Sequence, residues 1–445
     1  MDTQFLVHNA HLNNPREFAK YDPHLRNLTK QKYIYQAPIL QKLPCNQPGI
    51  YTLSGGRQIG KTTLLKQWME RLLHSGVKPE AIIFLSGELI ADYQALVQLL
   101  QLQLEKMPHD VLCYVILDEV SYIKEWDRAV KYLADAGWLE QVELVITGSD
   151  VLFIREARMY FPGRRGKANQ VDFHLYPLSF KEFVCLVYGV NSTIWCETNM
   201  ATLTEALRQY LIHGGYLTAI NDFALNQKIS LATLVTYSDW IRGDMLKRGK
   251  QELYLREILH ALIKRYSCQI TWNTLAQDLS IDHPKTVADY VELLSAMDVL
   301  FVQAALLEDK LTAAPKKARK VVFTDPFIFH ALRVWLEAPT DFYAFIQDTV
   351  NDSVWNSRLI ETVAVNHYQQ IFPTYYIKAE GEVDVAYIEN KRFWPVEIKW
   401  TNQLHPKDLR QIAKYRNGLI LTKTTQAGMI NGVKTMPLLA QLLAF

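Results

Sequence analysis

The chain lacks the marks of an oxidising compartment, a membrane or a zinc site. Its five cysteines, Cys45, Cys113, Cys185, Cys196 and Cys268, are odd in number and include no C-x-x-C pair. That argues for reduced thiols, a cytoplasmic setting and no zinc cluster. No apolar run reaches the roughly 18 residues that a transmembrane helix needs, so no membrane partner is expected. The start, Met1-Asp2-Thr3-Gln4, has no basic stretch leading into an apolar core and does not read as a signal peptide. Short repeats and low-complexity segments are missing too. Charge of one sign is also lacking: 48 Lys and Arg against 46 Asp and Glu leave a net +2. The chain as a whole is therefore no polycation, and only a local basic face could serve a nucleic acid. What is present is bulk. At 445 residues, 49% of them hydrophobic, the chain can build two or three packed domains.

The sharpest positive feature is Gly55-Gly56-Arg57-Gln58-Ile59-Gly60-Lys61-Thr62, a complete G-x-x-x-x-G-K-[ST] loop. It lies between an apolar run at 50–53 and a helical pattern that starts at Thr63. In such a loop, backbone N–H groups and a helix N-terminus cradle phosphates. Lys61 would reach the β and γ phosphates and Thr62 would hold Mg²⁺, so ATP with Mg²⁺ is the expected ligand. A second apolar run, 113–117, ends in Asp118 and Glu119. Asp118 can hold the water shell of Mg²⁺, and Glu119 is placed to polarise an attacking water.

Strand candidates at 49–54, 81–86, 112–117, 142–147 and 170–175 alternate with helical stretches such as 88–105 and 125–136. This predicts an α/β domain with a parallel sheet and helices on both faces. A strand inserted between the phosphate loop and Asp118, with Glu119 following, points to the P-loop ATPases that carry their own catalytic glutamate. The 142–147 strand ends in Thr147-Gly148-Ser149-Asp150. Ser149, or Thr147 or Asp150, could sense the γ-phosphate there, and the same residues also make an ordinary helix cap. Arg164 and Arg165, in Phe161-Pro162-Gly163-Arg164-Arg165-Gly166, could neutralise transition-state charge in cis or across a subunit interface of a homo-oligomer. A solvated turn explains them as well.

Taken in order, the phosphate loop, Leu-Asp-Glu-Val, Thr-Gly-Ser, Gly-Arg-Arg and Leu-Tyr-Pro-Leu-Ser-Phe-Lys-Glu-Phe resemble the prokaryotic AAA-type ATPases that carry a C-terminal domain of unknown function related to PD-(D/E)XK nucleases. Gly214-Gly215-Tyr216 matches a Gly-Gly-[Tyr/Phe]-Pro element of that family, with Leu217 in place of proline. The family's loop has proline where this chain has Gly56. The resemblance spans about residues 30–440. It implies that Lys61, Thr62, Asp118 and Glu119 are the nucleotide residues, and it carries fold further than function.

The middle, 179–265, reads as amphipathic helices. Residues 270–303 are sharper: a short helix at 274–279, a turn, and a second helix opened by Pro284 fit a helix-turn-helix, with 301–304 as a wing strand. The second helix carries Lys285 but also Asp289 and Glu292, which suits a structural or partner-docking role better than DNA phosphates. The basic run Lys316-Lys317-Ala318-Arg319-Lys320 reads as a solvated loop, or as a contact to a nucleic-acid backbone.

Near the C-terminus, Glu382-Val383-Asp384-Val385 and Trp394-Pro395-Val396-Glu397-Ile398-Lys399 read as a hairpin turning near residues 389–391. Glu397 and Lys399 share a face, with Asp384 beside them. An Asp, a Glu and a Lys so placed make a divalent-metal site, in which the carboxylates bind Mg²⁺ or Mn²⁺ and the Lys stabilises a water nucleophile or a phosphate. This looks like the D…E-x-K core of PD-(D/E)XK nucleases. Glu361, on the preceding helix, would add a carboxylate. Gln411 and Tyr415, four apart on one helical face, match the Q-x-x-x-Y element of the RecB-like branch.

The sequence thus predicts an N-terminal extension (1–30), a P-loop ATPase core (31–178), a helical and winged-helix region (179–335) and an α/β PD-(D/E)XK nuclease-like domain (336–445). The expected activity is Mg²⁺-dependent ATP hydrolysis, with DNA or RNA as a candidate partner of the C-terminal domain. The alternative is an ATP-driven switch whose nuclease-like domain binds a partner without cleaving.

Overall fold

The five apolar runs of the first third form one parallel sheet: β1 (Gly49–Ser54), β2 (Ile82–Ser86), β3 (Cys113–Asp118), β4 (Val142–Gly148) and β5 (Asp172–His174), in the order β2-β3-β4-β1-β5. The runs are continuous rather than alternating because both faces of the sheet are covered. Along β3, Tyr114 and Ile116 pack on the side of α1 (Lys61–His74), with Trp68 and Met69. Val115 and Leu117 pack on the other side, with Trp126 and Val130 of α3 (Trp126–Asp135) and Leu96 and Leu100 of α2 (Tyr93–Leu104). Helix α2 starts later than the sequence pattern suggests, because Asp92 caps it by accepting from Ala95 N at 3.0 Å. The insertion of β4 between β1 and β3 sets the ends of all three strands side by side.

The structure is a computed structural model that describes residues 3–44, 46–148, 159, 161–189, 199–281, 283–401 and 409–445. It divides into two compact units, Met1–Tyr176 and Pro177–Phe445. Among the described residues no helix is long and apolar enough to cross a membrane.

The N-terminal segment is part of the first unit. Strand β2 lies at the sheet's edge, where unpaired backbone groups invite foreign strands. Asn9 blocks it, donating to Phe84 O and accepting from Phe84 N, each at 2.8 Å, while His11 Nε2 bonds Ile82 O at 3.0 Å.

The second unit begins with helices, among them Phe180–Tyr188, Met200–His213, Leu217–Asn226, Leu231–Lys247 and Glu252–Lys264. Gly214 and Gly215 fit a buried carboxylate beneath them. A Cβ on Gly214 would lie 1.7 Å from Asp325 Oδ1, one on Gly215 would lie 2.1 Å from Leu178 O, and Gly215 N donates to Asp325 Oδ2 at 2.8 Å. The stretch read as a winged helix holds α4 (Trp272–Gln277), α5 (Pro284–Ala296) and a three-stranded antiparallel sheet of β6 (Gln269–Ile270), β7 (Leu300–Ala304) and β10 (Arg319–Phe323), in the order β6-β10-β7. A small hairpin, β8 (Leu306–Leu307) and β9 (Thr312–Ala313), lies between β7 and β10. Helix α5 buries Val287, Tyr290, Val291 and Leu294 and turns Lys285, Asp289 and Glu292 to solvent.

After α6 (Pro326–Glu337), the long helix α7 (Ser353–Ile371) leads into a mixed six-stranded sheet. Its strands are β11 (Thr374–Lys378), β12 (Glu382–Glu389), β13 (Arg392–Lys399), β14 (Leu419–Thr422), β15 (Gly428–Ile430) and β16 (Val433–Pro437), in the order β11-β12-β13-β14-β16-β15. The β12–β13 turn falls at Asn390 and Lys391, both with positive φ (51° and 59°), as a tight two-residue hairpin turn requires.

Candidate functional site

The phosphate loop folds as its glycines dictate. Gly60 takes φ +99° just before α1, and Gln58 also adopts a left-handed conformation at +61°. Gly55 has no room for a side chain, since its Cβ would lie 2.6 Å from Leu175 O. Ile59 packs partly into the core, and Arg57 donates to the Tyr122 hydroxyl at 3.1 Å. Lys61 is buried and donates from Nζ to Gly55 O and Gly56 O, both at 3.0 Å, with Glu119 Oε1 at 3.6 Å. Thr62 and Thr63 lie in the first turn of α1, at its positive end.

The acid pair closes the other side. Asp118 ends β3 nine-tenths buried, and its Oδ2 accepts from Thr62 Oγ1 at 2.7 Å. Its Oδ1 accepts from Thr147 Oγ1, and the same Thr147 oxygen accepts from Glu119 N at 3.1 Å. Glu119 is left-handed, at φ +54° and ψ +52°. That turn swings its side chain away from the strand and towards Lys61. Gly87 makes the turn possible, because a Cβ there would come within 2.5 Å of Glu119 O. At the end of β4, the polar residue that meets the acid pair is Thr147. Ser149 and Asp150 lie outside the described residues.

Arg164 and Arg165 lie elsewhere. Arg164 pairs with Asp135 at the end of α3. Arg165 pairs with Asp172, donates to Val171 O at 3.0 Å and reaches Ile50 O at 3.4 Å. These partners sit at the start of β1 and β5, whereas the phosphate loop leaves the other end of β1. Neither arginine lies beside the phosphate loop of its own chain, and their ion pairs within the chain agree with the turn reading.

The C-terminal residues assemble on adjacent strands. Asp384 on β12 and Glu397 and Lys399 on β13 face one another. Asp384 Oδ2 accepts from Ile398 N at 2.9 Å, and Lys399 Nζ lies 2.6 Å from Glu397 Oε1. Burial, with help from Asp384, pushes the Glu397 carboxyl up to about 8. Burial would lower Lys399, but Asp384 and Glu397 more than reverse it and hold its ammonium above the usual range. Gln411 and Tyr415 are not on an α-helix as expected. They flank a single 3-10 turn, Ile412–Lys414, and still meet, Nε2 to Oη at 3.3 Å. Their other bonds tie down loops: Gly381 N donates to Gln411 Oε1 at 3.1 Å, and Tyr415 Oη donates to Glu308 at 2.9 Å.

The residue that sequence reasoning misplaced is Lys320. The sequence pattern reads its basic run as a solvated loop or a contact to a nucleic-acid backbone. Residues 319 and 320 instead open β10, and Lys320 is 1% exposed. Its Nζ lies 3.0 Å from Glu361 Oε1 on α7 and 3.4 Å from Asp384 Oδ1, and it pairs with Glu382. Burial alone would lower it, but Glu361, Asp384 and Glu382 together raise it well above a free lysine. Arg319, next along the strand, points the other way and stacks on Trp272 at 4.5 Å. The period of two was the available signal, because neighbours on a strand, here Arg319 and Lys320, must take opposite faces.

A five-stranded parallel sheet with β4 between β1 and β3, a G-x-x-x-x-G-K-T loop and an Asp-Glu pair define a Walker-type P-loop ATPase domain. More narrowly, the sequence profile described as an AAA domain matches residues 47–184, and a domain of unknown function (DUF8612) matches residues 204–338. The chain carries an AAA-family ATPase domain followed by that second domain. A relationship to nucleases is not among these matches. An uncharacterized protein of Haemophilus influenzae is 34% identical over 142 residues, 30% of this chain and 33% of the relative. Another, from Methanocaldococcus jannaschii, is 24% identical over 279 residues, 56% of this chain and 55% of the relative. The matched stretches thus span a third to about half of these relatives' length. Among solved structures, the Walker-type ATPase PABY2304 of Pyrococcus abyssi aligns over 72% of this chain and 95% of its own, at 14% identity and a TM-score of 0.41. The Aeropyrum pernix Orc1 protein in complex with DNA aligns over 69% and 91%, at 12% identity and a TM-score of 0.33.

Proposed function

We propose that this chain binds ATP with Mg²⁺ and hydrolyses it, and that its second unit responds to the nucleotide as a recognition module. The observation that carries the ATPase reading is the Thr62–Asp118–Thr147–Glu119 chain of hydrogen bonds beside Lys61. The donor set fits the ligand. Lys61 would hold the β and γ phosphates, with the backbone of 55–60 around them, and Thr62 and Asp118 would hold Mg²⁺, which neutralises phosphate charge. Glu119 is the group to accept a proton from the attacking water.

For the second unit, the pairing of Asp384 with Glu397 and Lys399 supports a nuclease-like fold, with DNA or RNA as the candidate partner. Lys320, buried against Asp384 and Glu361, favours binding over cleavage, and so favours the switch reading.

The test is a pair of variants. Lys61→Ala is expected to lose ATP binding, and Glu119→Gln is expected to keep ATP while losing about 10²–10⁴-fold in turnover. Wild-type turnover in Glu119→Gln, or wild-type ATP affinity in Lys61→Ala, would overturn the assignment.

A further inference from the structure

The carboxylates of the second unit converge on a side chain that no nuclease-like reading requires. Glu361 from α7 and Glu382 and Asp384 from β12 all meet the Lys320 ammonium. Lys320 sits on the middle strand of the winged-helix sheet, and both neighbouring strands send a polar group the same way. From β6, Gln269 Nε2 donates to Glu382, and Ser267, just before that strand, donates to Glu361 Oε1 at 2.5 Å. From β7, Gln303 Nε2 donates to Asp384 O at 2.8 Å and to Tyr375 O at 3.0 Å. Each strand of the small sheet thus places one side chain, or its flanking residue, against the D…E-x-K face. Asp384, Glu397 and Lys320 are all nine-tenths buried or more.

This arrangement does not fit a divalent metal. Oxygen ligands of Mg²⁺ lie about 2.1 Å from the ion, and an ammonium buried against Glu361 and Asp384, two of the three carboxylates that would hold it, leaves no place for both. Among the described residues, no three His, Cys, Asp or Glu side chains are gathered so as to hold a metal. A lysine brings a point charge with three donors and needs no coordination geometry. Buried carboxylates must have such a partner, since an unpaired buried charge is costly.

We propose that the Lys320 ammonium is the resident cation of this face, standing where a divalent ion would otherwise sit, and that the winged-helix sheet closes the face to metal and to phosphodiesters. The proposal rests on reading Asp384, Glu397 and Lys399 as a nuclease-like face. Whatever the second unit recognises is then bound without metal-dependent cleavage while Lys320 is seated. Cleavage would require β10 to withdraw.

The experiment is a Mn²⁺ titration of the full-length protein without nucleotide, following the free-ion signal by electron paramagnetic resonance. Wild type and Asp384→Asn are expected to give the same isotherm. Lys320→Gln is expected to gain a Mn²⁺ site that Glu397→Gln, added to it, removes. If Lys320→Gln does not fold, Lys320→Gln/Glu382→Gln keeps the charge balance and leaves Glu361, Asp384 and Glu397 as ligands. Wild-type Mn²⁺ binding that is lost in Asp384→Asn would overturn the proposal while sparing the nuclease-like reading. A folded Lys320 variant that gains no Mn²⁺ would overturn both.

Discussion

Lys66 and Asp22 form an ion pair at 3.4 Å with both side chains wholly removed from solvent. Lys66 is on the phosphate-loop helix, one turn past Thr62, and Asp22 belongs to the N-terminal segment. Lys66 Nζ also donates to His8 O at 2.5 Å and lies 3.6 Å over the Phe84 ring. Burial pulls the Lys66 ammonium down to about 8, against the pull of Asp22. The segment 3–28 is therefore a structural part of the ATPase unit, pinned to the helix that presents Lys61 and Thr62.

Asp22→Asn should show what that pin is worth. Asparagine keeps an oxygen for the cap bonds that Asp22 Oδ1 accepts from His24 N and Leu25 N, but removes the counter-charge. A buried ammonium left alone costs about 3–5 kcal/mol, so urea unfolding should shift by that order. Asp22→Asn combined with Lys66→Met should recover most of the loss. A single-variant cost under about 1 kcal/mol, typical of a surface pair, would show that the pair is not buried in solution.

Thr147 is the hinge of the acid pair, because one hydroxyl donates to Asp118 and accepts from Glu119 N. Thr147→Val keeps the shape and deletes both bonds, stranding a backbone N–H at a cost of about 1–3 kcal/mol. ATP affinity should hold, since Lys61 and the loop are untouched, while turnover falls because Glu119 is no longer fixed. Thr147→Ser should restore it. A variant that lost binding and turnover in equal measure would assign Thr147 to the nucleotide contact instead.

The first unit was legible from sequence because its signals are local. A phosphate loop, apolar strands and an acid pair each announce themselves within about ten residues. Lys320 was illegible for the opposite reason. Its partners lie 41 to 64 residues away in sequence, and a lysine among Lys316, Lys317 and Arg319 looks like solvent-exposed charge until the strand's inward face is known. Asp22 and Lys66 fail in the same way. The D…E-x-K pattern was read correctly as neighbouring residues, but the pattern says nothing of what lies on top of them. Gln411 and Tyr415 touch as the four-residue spacing suggests, although the helix expected to carry them is a single turn.

Acid should unfold the second unit through its histidines. Burial lowers His213, His330 and His367 each to about 4. His367 is committed at both nitrogens: Nδ1 bonds Val363 O at 2.7 Å and Nε2 accepts from Phe180 N at 2.8 Å. Between pH 6.5 and 4 the unfolded chain takes up a proton at each of these positions while the folded chain does not, so stability is lost as pH falls through that window. Buried acids act in the opposite sense over an overlapping range. Burial raises Asp325 to about 7, against the donors Gly215 N and Phe327 N, and Glu397 to about 8. Because both bind protons more tightly when folded, they cost stability as pH rises from about 4, their value in the unfolded chain, to 7–8. The His367 contribution is isolated by difference. The stability advantage of wild type over His367→Gln should shrink as pH drops from 6.5 to 4, by up to about 1.4 kcal/mol per pH unit. Urea midpoints for both proteins across that range measure it. A difference that stays flat with pH would mean that His367 titrates alike in the folded and unfolded chains.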